Sequence, residues 1–275
     1  MTAVAHTFGS TLLKATDVSL ALGGKQILRD VSLEIRDVRR PDHVTGQVVG
    51  LLGPSGIGKT QLFRILAGLN QPDRGTVLVG EEAIPVSRGM VGVVAQNYPL
   101  FNHRRVLGNL CVAGRRAGLT REGARSKAER LLAHFKLEDA ASKYPMQLSG
   151  GQRQRAAIAQ QFMCSERFLL MDEPFSGLDL VQIQKVIALI HEVASLHEFN
   201  TIIIVTHDIS ASLEVADTLW LLGRDRDAQG NFLPGARIQT TYDLMERGLA
   251  WSQGIADTPA FVETRREIRA RFPLL

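Results

Sequence analysis

The sequence predicts an α/β fold built on a largely parallel sheet, with a helical segment inserted into it. Three observations carry this expectation. Short runs rich in Val, Ile and Leu alternate with stretches of helical periodicity, the pattern of strand–helix–strand units. A Gly-rich turn joins one apolar run directly to a helix. Residues 106 to 161 then hold a helical pattern before the apolar runs resume.

In chain order, strands are expected at 12–21 and 27–35. A polar loop at 37–45, longer than a tight link, leads to an apolar strand at 48–52. The helix at 60–67 puts Leu62, Phe63, Leu66 and Ala67 on one face, and Gly68 suits its end. Short strands follow near 76–79 and 91–95. Within the helical segment, Ala124, Ala128, Leu131, Leu132 and Phe135 share a face, and Thr120 can cap their helix. The sheet resumes at 168–171, followed by a helix at 180–196 and strands at 202–205 and 218–222. Residues 224–234 read as an enlarged polar loop, with Gly230 and Asn231 suited to a hairpin turn. The division expected is one domain over 1–240, with a helical subdomain inserted at about 97–162, and a short helical tail over 241–275.

Composition excludes several classes. A net charge of +4 over 275 residues, spread along the chain among acids, gives no footprint for nucleic acid. The clusters Arg39–Arg40 and Arg104–Arg105 read as solvated surface. Cys111 and Cys164 lack metal-ligand partners at useful spacing and read as reduced core residues of a cytosolic protein. No basic segment followed by a long apolar stretch marks a signal peptide. No apolar run reaches the roughly 18–20 residues that span a bilayer. A role at a membrane therefore needs recruitment by another chain.

Two motifs carry chemistry. Gly53-Pro54-Ser55-Gly56-Ile57-Gly58-Lys59-Thr60 fits G-x-x-x-x-G-K-[ST] and stands between an apolar strand and a helix. Glycines let backbone N–H groups turn inward, and the helix start adds partial positive charge. Lys59 supplies a full charge for the β- and γ-phosphates of a nucleotide, and Thr60 a hydroxyl for Mg²⁺. Further on, an apolar strand ends in Asp172-Glu173-Pro174. Alone, two acids there fit a solvated strand end. Beside a phosphate cradle they fit a metal ligand, Asp172, and a general base facing the attacking water, Glu173.

Between these motifs lies Leu148-Ser149-Gly150-Gly151-Gln152, followed by Arg153-Gln154-Arg155 and an apolar helix. Ser149, Gly150 and Gly151 open that helix and offer a second anion site. In this order the three motifs resemble the ATP-binding-cassette family, specifically its transporter ATPases, over about residues 12–222. The resemblance implies a P-loop NTPase with a RecA-like mixed sheet core, an antiparallel β subdomain and an inserted α-helical subdomain. It implies ATP and Mg²⁺ as ligands. It also implies a head-to-tail dimer, in which Ser149, Gly150, Gly151 and Gln152 of one subunit close on the ATP held by the other. Gln96 resembles the Q-loop glutamine that senses Mg²⁺ and water. His207 resembles the switch histidine at the γ-phosphate. Asp179 resembles the D-loop aspartate, and it equally fits an N-cap for the helix after it.

Departures are also visible. Leu22 stands where the family carries an aromatic residue against adenine, so only weak preference for ATP over GTP is expected. Gln160-Gln161 replace a usual Arg-Ala pair. The loops at 37–45 and 224–234 fit partner contacts or surface decoration.

The family resemblance implies a peripheral ATPase at the cytoplasmic face of the cell membrane, bound to a transmembrane permease. The partner cassette is an identical copy or a close paralogue. A solute-binding protein outside the membrane is an indirect partner, and nucleic acid is not one. Tyr98, Leu100, Phe101, Val106 and Leu107 fit either a groove for the permease or the internal core of the subdomain. The order Asn97-Tyr98-Pro99-Leu100-Phe101 and the short tail most resemble bacterial importer subunits, without a long regulatory domain. The rival is a soluble cassette ATPase of DNA repair, translation or iron–sulfur assembly, and a third reading is export or lipoprotein release.

Overall fold

The computed structural model describes residues 6–39, 46–165, 167–195, 201–251 and 254–275. Two long strands, β1 (Thr7–Leu22) and β2 (Lys25–Arg39), form an antiparallel hairpin that turns at Gly23-Gly24, between Leu22 and Lys25. Then follow β3 (Gln47–Leu52), α1 (Lys59–Leu66), β4 (Arg74–Val79), β5 (Ile84–Pro85) and β6 (Gly92–Val94). The helical insertion holds α2 (Val106–Arg116), α3 (Arg121–His134) and α4 (Gly150–Phe162). The chain returns to the sheet with β7 (Phe168–Asp172), α5 (Leu180–Ala194), β8 (Thr201–Thr206), α6 (Ile209–Val215), β9 (Thr218–Arg226) and β10 (Phe232–Asp243), and α7 (Pro259–Arg271) follows.

The strands make one sheet in the order β5-β4-β1-β2-β10-β9-β3-β8-β7-β6. From β9 to β6 every pairing is parallel, while the β1, β2, β4 and β5 ribbon is antiparallel. This is the α/β class with a mixed sheet, an antiparallel β portion and an inserted helical portion. Parallel strands are buried on both faces, which is why β3 and β8 read as unbroken apolar runs. Alternate residues feed two cores. Val48, Leu52, Ile202 and Ile204 join the helical insertion on one face. Val49, Leu51, Ile203 and Val205 join α1 and the β1–β2 ribbon on the other.

The insertion packs as its periodicity requires. Ala124, Ala128, Leu132 and Phe135 are buried, and Thr120 accepts a hydrogen bond from the Gly123 N–H at 3.0 Å. Asn109, fully buried, ties the preceding loop to α2: it accepts from the Phe101 N–H and donates to the carbonyls of Phe101, Arg104 and Arg105. Leu100 and Val106 are core residues, and Tyr98 and Leu107 pack against the same core. Of the five residues weighed for a partner groove, Phe101 alone is largely exposed. Cys111 and Cys164 are free and half-buried, and burial pushes both thiols up.

Several boundaries differ from the pattern reading. Residues 37–39 continue β2 rather than opening a loop, because they pair with the start of β1, Phe8 opposite Val38 and Thr7 opposite Arg39; residues 40–45 lie outside the described residues. Most of the expected loop at 224–234 is strand. β9 and β10 pair through Phe232 and Arg226, and the turn between them is closed by Asp227, which accepts from the N–H groups of Gln229 and Asn231. The tail expected to be helical begins inside β10, and among its described residues the helix is confined to α7 and short 3₁₀ turns on either side of it, Ile255–Asp257 and Phe272–Leu274. The end of the helix expected at 180–196 reaches Ala194, and residue 196 lies outside the described residues.

Candidate functional site

Residues 53–60 link β3 to α1 at the end of the parallel strands, where ligands bind in open α/β sheets. Backbone shape here demands glycine. Gly58 has φ of 113°, and a β-carbon on it would meet the side chains of Ile27 and Leu28 at 3.1 Å. A β-carbon on Gly53 would lie 2.7 Å from the Leu222 carbonyl. The start of α1 has no side-chain cap and no acid in its first turn, so its N–H groups and partial positive charge are open to an anion.

Lys59 reaches back into this loop. Its ammonium donates to the carbonyls of Gly53 at 2.8 Å and Pro54 at 3.1 Å, and lies 4.0 Å from Glu173. Burial lowers its pKa, and the nearby carboxylates of Glu173 and Asp172 oppose that shift. Asp172, half-buried at the end of β7, has its pKa raised by burial and by Glu173 beside it, against Lys59 and Arg64. Two adjacent acids in partial burial are what a divalent cation neutralises. Thr60 and Asp172 present hard oxygen donors of the kind Mg²⁺ prefers. Among the described residues no group of three or more His, Cys, Asp or Glu could hold a metal, so any ligands beyond these two and the expected Gln96 would come from phosphate oxygens and water.

Glu173 is held in a left-handed conformation, with φ of 48°. Its N–H donates to the Val205 carbonyl at 2.7 Å, pinning the turn to β8. Its carboxylate accepts from the Thr206 hydroxyl at 3.1 Å and meets Nδ1 of His207 at 2.9 Å. That bond requires the proton on Nδ1, which leaves Nε2 of His207 unprotonated in the neutral ring. Thr206, fully buried, also accepts from the Asp208 N–H at 3.1 Å. Lys59, Asp172, Glu173, Thr206 and His207 thus converge.

The other site residues stand apart. Gln96 lies exposed in the turn after β6, and no hydrogen bond or ion pair among the described residues joins it to the cradle or the acids. Ser149 caps α4 in a reciprocal pair: it accepts from the Gln152 N–H at 3.2 Å, and Gln152 accepts from its N–H at 3.1 Å. Gly150 and Gly151 are exposed, with open space where side chains would be. Asp179 caps α5 through the Gln182 N–H at 2.8 Å, and the next residues, Leu180 and Val181, are 82% and 65% exposed. Leu22 stands at the hairpin tip, 45% exposed.

Two residues at this end of the sheet escaped the sequence reading. Thr206 lies just past the strand expected at 202–205, and only its position before His207 signals a role. Ile27 touches the cradle from the β1–β2 hairpin, and no local pattern marks it. The unusual Gln161 also acquires a structural account: its side-chain carbonyl accepts from the Val93 N–H at 3.1 Å, tying the end of α4 to the edge strand β6.

Residues 41–176 match the family model described as ABC transporter. The chain is 41% identical over 211 residues to a sulfate/thiosulfate import ATP-binding protein of Xanthomonas campestris pv. campestris, covering 74% of this chain and 58% of the relative. It is 37% identical over 222 residues to the protein of the same name from Synechococcus elongatus, covering 79% and 61%. The chain thus spans about three fifths of the length of these relatives. Among solved structures, cbiO1 from Clostridium perfringens, part of the ABC transporter complex cbiONQ, superposes with a TM-score of 0.72 over 96% of this chain and 97% of that one. At 24% identity that likeness speaks for the fold.

Proposed function

Because this chain carries an ABC transporter domain over residues 41–176, we propose that it is the ATP-hydrolysing subunit of an importer, bound at the cytoplasmic face of a membrane to a permease. The observation that carries this reading is the split of the site. The cradle, Lys59 and the Glu173–His207 pair converge, while the exposed Ser149 helix start, capped within its own first turn by Gln152, stands apart from them and is suited to face another subunit.

In this reading the loop N–H groups and Lys59 bind the phosphates of ATP. Thr60, Asp172 and Gln96 would hold Mg²⁺, which when bound neutralises charge developing on the transferred phosphoryl group. Glu173 accepts the proton of the attacking water. Thr206 and His207 hold its carboxylate in place. A second copy or a paralogue brings Ser149, Gly150, Gly151 and Gln152 to the open side of the nucleotide. Release of the γ-phosphate then removes the group that joins the two halves.

No helix among the described residues is long and apolar enough to cross a membrane; in this reading the permease provides the attachment. Phe101, Tyr144 and Met146, exposed apolar side chains of the helical insertion, support a docking face there. The relatives' names make a sulfate-type oxyanion the first cargo to test. Affinity purification from detergent-solubilised membranes should recover a permease chain with this protein in stoichiometric amount. Recovery only with ribosomes or DNA would end the transporter reading in favour of a soluble cassette ATPase.

A further inference from the structure

Tyr98 sits in the loop after Gln96 and touches the segments that carry both halves of the site. Its N–H closes a tight turn on the Ala95 carbonyl at 2.9 Å, next to Gln96. Its hydroxyl accepts from the side-chain amide of Gln154 at 2.9 Å and donates to the Pro174 carbonyl at 3.4 Å. The Tyr98 carbonyl faces the Arg153 guanidinium at 3.5 Å. Gln154 and Arg153 belong to the first turns of α4, the helix that Ser149 caps; Pro174 follows Glu173 directly. One phenol therefore bridges the helix start offered to a second subunit and the acid proposed as base.

The backbone supports a role beyond packing. Tyr98 has φ of 46° and Glu173 φ of 48°, both in the left-handed region that non-glycine residues seldom occupy. The Tyr98 hydroxyl joins these two unusual turns across Pro174. Burial pushes the phenol up to about 12, so it stays a protonated donor throughout the physiological range.

We propose that Tyr98 is a positioning residue: it fixes the start of α4 relative to Glu173, so that closure of the Ser149 helix on nucleotide sets the base in its working position. This rests on the ATPase reading above. The contact at 3.4 Å then shortens on closure, as bonds around catalytic groups do when a site assembles.

The test is a double-variant cycle on the purified chain with Mg-ATP. Tyr98→Phe keeps the ring and removes the hydroxyl; Gln154→Leu removes the donor from the other side. Each is expected to lower kcat about tenfold, with KM for ATP within about twofold of the parent. The double variant should match the slower single variant, because both remove one linkage. An unchanged kcat in Tyr98→Phe would overturn the proposal, as would losses that simply multiply. Glu173→Gln, assayed alongside, separates the two readings. If it hydrolyses freely, the assignment of the base fails. If it is inert while Tyr98→Phe turns over normally, only the role of Tyr98 fails.

Discussion

Glu173→Gln is expected to bind ATP, lose turnover by a factor of roughly 10²–10⁴, and accumulate as a closed dimer. The factor is that of a positioned general base. Glutamine has the shape of glutamate and can occupy the same turn, so the left-handed backbone and the N–H bond to Val205 are retained. What disappears is the basic oxygen that Thr206 and His207 hold. Binding persists because the phosphates are gripped elsewhere, by Lys59 and the loop. Uncleaved nucleotide then keeps the subunits joined. Phosphate release after a single addition of ATP, with size-exclusion chromatography of the same sample, measures both effects. Free hydrolysis by the variant would remove Glu173 from the chemistry.

Lys59→Ala should act on binding itself. Lys59 is 7% exposed, and its ammonium places a full positive charge against the loop carbonyls of Gly53 and Pro54. Hydrogen bonds to charged groups contribute about 1.5–3 kcal/mol each. Losing one such contact to phosphate therefore weakens ATP affinity on the order of 10- to 100-fold. Calorimetric titration with ATP reads this directly. An unchanged dissociation constant would count against residues 53–60 as the phosphate cradle.

How far the sequence foretold the molecule depended on how each residue is buried. β3, β7 and β8 were legible because parallel central strands are covered on both faces and spell continuous apolar runs. β10 was not, because an antiparallel ribbon covered on one side alternates Arg237 and Gln239 with Ala236 and Ile238, and a Pro-Gly pair interrupts its start. α6 was missed because seven residues give too little periodicity, although Asp208 marks its cap. The cradle could be read locally, since all its parts are neighbours in sequence. The meeting of Glu173 with His207, 34 residues later, came only through the family resemblance. The support from Thr206 and Ile27 depends on strand register and hairpin placement, which no short motif encodes. Asp179 shows the opposite case: its capping role was plain in the sequence, and the structure displays that role first.

If one chain holds only part of a working catalytic centre, turnover must depend on association. Turnover per chain, measured with Mg-ATP across a dilution series that passes from dimer to monomer, tests it most directly. The rate per chain is expected to collapse on dilution, and Ser149→Ala to depress it even where cradle binding of ATP is intact. A rate per chain that stays constant into the monomeric range, with Ser149→Ala as active as the parent, would contradict it.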